Sequence, residues 1–485
     1  MIRSPYLVYA FTMLLSFISA VVPVRAAEIK LPSMGDSTGS IISPEQERLI
    51  GEGVMRQVRR SLNIIADPQL TEYIQSVGYQ IVSNSDNNYQ DFTFFLIDDR
   101  SINAFAAPGG FIGINSGLLI SSDSESEMAS VVAHEVAHIT QRHLARAYEA
   151  QTQLQTPSLI GLLAAVLLST QNSELGAAAL AATQAASIQT ALNFTRSNEQ
   201  EADDIGMQTL ARAGFDPYAM PTFFEKLQNS ARFFGRPPEF LSTHPVTITR
   251  IAESRTRAER YDYKQIPSSL NFLLAREKLI VLSEKDLPKL IKSYRKSIRT
   301  GQYRNQTAAR YGYALALVKN DHNKRATQQI NWLLKNHPDE LAFLILEAQN
   351  DIAANIVSQG LQRYKKILKL FPGNHPTTIY YSQALLQQGQ AKQARLLLQE
   401  HFRYRSPDGD MYRLKAAVEG AAGFPLEAHQ SQAEYYYQNG DLPSAIQQLE
   451  IALRLKSENF YELSKIEARK NTLQQELAQR RKNNS

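Results

Sequence analysis

The stretch MASVVAHEVAHITQRH, Met128 to His143, decides how the rest of the chain is read. It sets His134, Glu135 and His138 in an H-E-x-x-H arrangement. On an α-helix, residues i and i+4 lie about 40° apart around the axis, so both imidazoles project from one face and can grip one metal ion. Glu135, one position along, then stands beside the metal rather than on it, where a base for an attacking water belongs. Ser124 and Glu127 make a capping pair for such a helix, and Met128, Val131, Val132, Val136 and Ile139 supply its buried sides.

A catalytic site of this kind takes three protein ligands and keeps one position open. The downstream histidine of the metzincin pattern is missing: Gln141 stands where that pattern needs Gly, and Leu144 where it needs His. The third ligand is therefore expected further on. In SNEQEADD, Glu199 and Asp203 are again i and i+4 on one helical face. Glu199 is the candidate third ligand, and Asp203 a group behind it that orients a ligand or handles a proton. Glu201 falls on another face and is expected in solvent. His244, in LSTHPVTITR, follows these helices closely. Three roles stay open for it: stabilising a tetrahedral intermediate, occupying the metal's open position and holding the enzyme shut, or a purely structural part.

The whole chain sets limits on this reading. Its 485 residues exceed one ordinary core, so two or three domains are expected. There are no cysteines, which excludes thiol catalysis and thiolate metal sites and leaves His, Asp and Glu as ligands. A formal charge of +5 is too mild over this length to indicate a nucleic-acid partner. The first 26 residues read as a secretory signal peptide: Arg3, then the apolar YLVYAFTMLLSFISAVV, then small residues around VRA, with cleavage near Ala27. The alternative is an uncleaved anchor, since the apolar run approaches the ~20 residues of a span.

Ser43, Pro44 and Gln46 begin one helix, and Asp67 with Pro68 begins a second. DFTFFLID has strand composition, and in INAFAAPGGFIGINSGLLI the Pro108-Gly109-Gly110 turn separates two short apolar runs. GGFIGIN, Gly109 to Asn115, is expected as an edge strand that pairs with an extended substrate, the alternative being an internal strand. Between the metal helices, LIGLLAAVLLS and the Ala-rich run after it are too short to span a bilayer. The stretch 159–192 is expected either as a buried helix or as peripheral contact with a membrane surface.

From about residue 270 helix follows helix with a period. Pro338 and Pro372 lie 34 residues apart and Pro407 follows 35 later, while Ala326, Gly360 and Ala394 mark a small-residue position at the same interval. Ala445 stands one and a half units further on. Thirty-four residues is the tetratricopeptide period, in which a small side chain lets two helices cross closely and Pro closes the second.

H-E-x-x-H followed some sixty residues later by E-x-x-x-D, with NAFAAPGG upstream, resembles the zinc metallopeptidase family that includes the CAAX prenyl endopeptidases. The resemblance implies an α+β zincin-type metallopeptidase domain over 27–265 and an all-α tetratricopeptide-repeat solenoid over 266–485. It also implies one Zn²⁺ held by His134, His138 and Glu199, Glu135 as general base, and Asp203 as a second active-site acid. His244 and Arg250 match the family too. The signal peptide and repeats place the chain with the family's periplasmic members. That implies work on unfolded or misfolded outer-membrane β-barrel proteins and contact with the barrel-assembly machinery through the repeats. A chaperone or adaptor whose main work is binding is the second reading.

Overall fold

The computed structural model describes residues 43–86, 91–149, 196–234, 238–455 and 460–484. The expected signal peptide and the stretch 159–192 lie outside the described residues. Two capped helices come first. α1 (Pro44–Ser61) begins with the full Ser43/Gln46 capping box, and in α2 (Pro68–Val82) the Asp67 side chain accepts from the Leu70 N–H. Each has Pro in its first turn, where no amide partner is lost.

A three-stranded sheet follows: β1 (Thr93–Ile97), β2 (Ala104–Ala107) and β3 (Phe111–Asn115), in the order β1-β3-β2. β3 runs parallel to β1 and antiparallel to β2. The expected edge strand is therefore the central one. The Pro-Gly-Gly turn does fold β2 back onto β3, but β1 takes the other side of β3, so the open edge beside the hairpin belongs to β2. Gly109 and Gly110 both have positive φ, 76° and 84°, and a Cβ on Gly110 would meet the Asp91 carbonyl oxygen at 2.2 Å, so the tight turn requires glycine.

Every strand alternates strictly. Phe94, Leu96, Ala104, Ala106, Ile112 and Ile114 face one core; Phe95, Ile97, Phe105 and Phe111 face another, against Ile50, Val54 and Val58 of α1. After the short helix α3 (Ser116–Ser121), α4 (Glu125–Thr140) crosses the first face of the sheet. Then come α5 (His143–Glu149), α6 (Arg196–Arg212), α7 (Ala219–Phe234), the single turn α8 (Phe240–Thr243) and α9 (Ile248–Ala258).

Among the described residues twelve helices remain: α10 (Leu270–Ser283) and α11 (Leu287–Thr300) both pack on α12 (Gln306–Lys319), α12 pairs with α13 (Asn323–Asn336), and α14 (Leu341–Ala353) pairs with α15 (Val357–Leu370). They continue as α16 (His375–Gln387) with α17 (Ala391–His401), α18 (Gly409–Ala421) with α19 (Pro425–Gln438), and α20 (Leu442–Arg454) with α21 (Phe460–Asn484). The small-residue position is where the period placed it. Ala326 and Ala394 are fully buried, and a Cβ on Gly360 would meet Ile352 Cδ1 at 2.7 Å.

The seam between the sheet-bearing part and the repeats is packed. α10 contributes Phe272 and Leu279 to the core under the sheet and Leu274 and Val281 to the first repeat core. Burial of each such side chain stabilises by roughly 1.5–3 kcal/mol, far more than a loose linker provides. Asp67, while capping α2, also accepts from Lys278 Nζ at 2.8 Å and Tyr380 Oη at 2.7 Å, which ties α2 to α10 and α16.

Candidate active site

α4 carries His134, Glu135 and His138 into the interior, each no more than 1% exposed. The helix begins with the Ser124 hydroxyl accepting from the Glu127 N–H, while the Glu127 carboxylate accepts from the Asp123 N–H. α6 packs along α4 and brings Glu199 and Asp203 to the two histidines. Gly206 makes that approach close, because a Cβ there would sit 3.1 Å from the Ala133 carbonyl oxygen. The segment after α8 adds His244.

One ligand atom from each of His134, His138, Glu199 and His244 lies within 4.8 Å of all the others. The Nε2 atoms of His134 and His138 face each other at 3.0 Å. Glu199 Oε1 is 3.5 Å from His138 Nε2 and 2.8 Å from His244 Nδ1, and its Oε2 is 3.6 Å from His134 Nε2. Three imidazole nitrogens and a carboxylate that converge in one buried cluster fit a metal ion with nitrogen and carboxylate preference. Glu135 stands beside this cluster with both carboxylate oxygens buried, its Oε1 3.5 Å from His244 Nε2. Burial pushes its pKa up, the charges of His244 and His134 pull against that, and the backbone of Ala106 on β2 adds a smaller pull.

The groups behind the ligands are charged. Asp203 Oδ1 lies 3.1 Å from His134 Nδ1, and Arg250 grips Asp203 through both Nε (2.9 Å) and Nη2 (2.8 Å). Arg250 Nη1 also stands 2.7 Å from Glu199 Oε2 and donates to the Pro245 carbonyl. Burial disfavours a charge on His134, yet Asp203 and Glu199 outweigh it and push its pKa up to about 9. Without metal a proton therefore sits on His134, and binding a metal must release it. Burial drives His138 the other way, well below its ordinary value. Glu199 is held well below the carboxylate range against burial, by the charge of His244 and the contacts with His134 and His138.

Asp203 thus touches the outer nitrogen of His134, 3.1 Å away. Glu201 departs from expectation. Its Oε2 is 3.0 Å from His143 Nε2 and accepts from Arg146 Nη2 at 2.9 Å, while His143 Nδ1 reaches His138 Nδ1 at 2.7 Å. In a continuous helix His143 would lie about 140° around from His138. The chain instead breaks at Arg142, whose φ is +52°, and α5 restarts facing back. The clue in the sequence was the extra histidine itself, but its placement depends on that turn. Arg250 was visible only as part of a motif; its bridging of both acids was not.

The comparisons with known proteins agree with this geometry. Residues 68–258 match the model of Peptidase family M48, and 352–418 match a tetratricopeptide repeat model. The chain is 38% identical over 422 residues to the β-barrel assembly-enhancing protease of Escherichia coli (strain K12), covering 87% of this chain and 86% of that one. It is 40% identical over 317 residues to a putative β-barrel assembly-enhancing protease of Vibrio cholerae, covering 65% and 66%. The mitochondrial metalloendopeptidase OMA1 of Schizosaccharomyces pombe is 33% identical over 181 residues, covering 37% and 51%. A metallopeptidase site on α4 and α6, tetratricopeptide repeats behind it and relatives alike over most of both lengths lead to one conclusion: this chain belongs to the M48 metallopeptidases, in the same family as the β-barrel assembly-enhancing proteases.

Proposed function

We propose that the chain is a zinc endopeptidase and chaperone of the periplasm, made with a signal peptide over 1–26, a peptidase domain over 27–265 and a repeat domain over 266–485. Its substrates are unfolded or misfolded outer-membrane β-barrel proteins, and the repeats meet the barrel-assembly machinery. The observation that carries the reading is the cluster of His134, His138 and Glu199 with the buried Glu135 carboxylate beside it. The names of the relatives supply the substrate class.

When bound, zinc polarises the scissile carbonyl and acidifies a water. His134, His138 and Glu199 are the residues to hold it. Glu135, its pKa raised by burial, accepts the attacking water's proton and returns it to the leaving amine. Asp203 and Arg250 fix His134 and Glu199 so that the ligand atoms stay convergent. The free edge of β2, whose Ala106 backbone reaches Glu135, offers an extended chain the pairing first expected of β3. That favours unfolded chains, since a folded one presents no free strand.

His244 supports a closed resting state. It adds a fourth ligand to a site that needs an open position, and the Phe240 N–H at the start of its segment donates to the Ile102 carbonyl just ahead of β2. A latched peptidase would act mainly by binding until a partner lifts the segment, which is the ground for the chaperone reading. The test is cleavage of an unfolded outer-membrane barrel protein by the wild type and by Glu135→Gln, each with its zinc content measured. Cutting by the wild type alone establishes the peptidase. No cutting by either, with zinc bound, leaves the binding role.

A further inference from the structure

The repeats have two layers of unlike charge. From pair to pair the first helices touch one another, α10 to α12, α12 to α14 and α16 to α18, and α10 and α16 pack on α2 of the peptidase part. The layer that tetratricopeptide proteins ordinarily offer to peptides is thus the one facing the peptidase. The second helices α11, α13 and α15 lie on the other side. Together these three carry twelve Lys and Arg and no Asp or Glu.

On α11, Lys289, Lys292, Lys296 and Arg299 stand at i, i+3, i+7 and i+10, one exposed stripe, while Ile291 and Tyr294 opposite are buried in the first repeat core. Lys365, Lys366 and Lys369 repeat the pattern on α15, all exposed. None of these seven side chains has an ion-pair partner among the described residues, although Arg363, on the same helix, is tied to Glu347 and Asp351. Exposed apolar side chains stand among the cations. Ile356 is 50% exposed and Leu370 54%, at the two ends of α15, and Leu396 on α17 is 65% exposed.

We propose that this layer of second helices docks on an anionic lipid membrane surface. Each of these 14-residue helices is about 21 Å long and packs on first helices rather than on the other two, so the three present their cations along the outer face of the layer. Cations spread over such a plane match rows of phosphate headgroups, and Ile and Leu between them reach the acyl boundary, which is the mixture interfacial surfaces use. The inference stands apart from the proteolytic reading, because docking requires no working metal site.

The experiment is flotation of the purified secreted chain with vesicles of equal parts phosphatidylglycerol and phosphatidylcholine, and with phosphatidylcholine alone. Binding to the first and not the second, weakening as salt rises, is expected. The triple variant Lys289→Glu, Lys292→Glu, Lys296→Glu should bind at least about a hundredfold more weakly while keeping the wild-type melting temperature and peptide cleavage. Ile356→Ser with Leu370→Ser should weaken binding without changing its salt dependence. If the triple variant does not fold, Lys365→Glu with Lys366→Glu carries the same test one repeat along. Equal binding to both vesicles, or unchanged binding by a folded charge-reversed variant, overturns the proposal. Binding to polyglutamate but to neither vesicle also overturns it, in favour of an acidic protein.

Discussion

His143 Nδ1 stands 2.7 Å from His138 Nδ1, and the Glu201 carboxylate behind it assigns the protons of both rings. An anionic oxygen 3.0 Å from His143 Nε2 requires a proton on that nitrogen, which leaves His143 Nδ1 as an acceptor. His138 must then carry its proton on Nδ1 and turn the Nε2 lone pair toward the metal position. The reverse assignment would put a lone pair against the carboxylate and a proton where the metal belongs. His143→Ala is therefore expected to weaken zinc binding about 10- to 100-fold, read by competition with a chelator. Saturating zinc should restore most of the cutting. Unchanged zinc affinity would show that the pair is only structural.

How much of this was legible is instructive. His134, Glu135 and His138 sit within one helical turn, and Glu199 with Asp203 within another, so local periodicity exposes them. The repeats are legible for the same reason, since each small residue serves a crossing within its own helix pair. The place of β3 was not, because strand order depends on which distant segment takes its second side, and β1 does so from eighteen positions upstream. His143 and Glu201 escaped because their pairing depends on the break at Arg142, which turns the His143 ring toward a different helix. Arg250 bridges two acids that are four residues apart, and nothing in its own neighbourhood foretells that.

His244→Ala bears on the closed state. Its Nδ1 is 2.8 Å from Glu199 Oε1 and 3.4 Å from His134 Nε2, so it competes for the position a substrate carbonyl needs. Removing a latch worth about 1–3 kcal/mol raises basal cleavage roughly 5- to 150-fold. The readout is the initial rate on an unfolded barrel protein with zinc content held equal. A loss of cleavage instead would assign His244 to the reacting atoms.

The clamp at Asp67 predicts a stability effect. Lys278 is 4% exposed and its pKa is lowered by burial, with Asp67 opposing, so its charge depends on Asp67. Asp67→Ala leaves that ammonium buried and should cost about 3–5 kcal/mol. Lys278→Met with Asp67→Leu should recover much of it, because an apolar pair of similar volume removes both desolvation penalties. Denaturant melts of the two variants decide the matter. Equal losses would mean that the helix cap at Leu70, rather than the buried pair, carries the effect.

Acid should loosen the same seam, through a different pair. His375 Nδ1 lies 2.9 Å from His401 Nε2, the rings stack, and Arg405 stands nearby, itself bound to Glu72 of α2. Burial, then the charge of Arg405, lowers the pKa of His375 to about 3, and burial lowers that of His401 as well. The unfolded chain binds a proton on His375 near pH 6.5, so between there and about 3 it holds more protons than the folded one. Stability is full above pH 6.5 and falls as pH falls, by up to about 1.4 kcal/mol per unit for this group. His375→Gln should flatten that slope while leaving the melting temperature at pH 8 nearly unchanged. Melting curves from pH 8 to pH 5 read the difference, and parallel slopes for wild type and variant would place the acid sensitivity elsewhere.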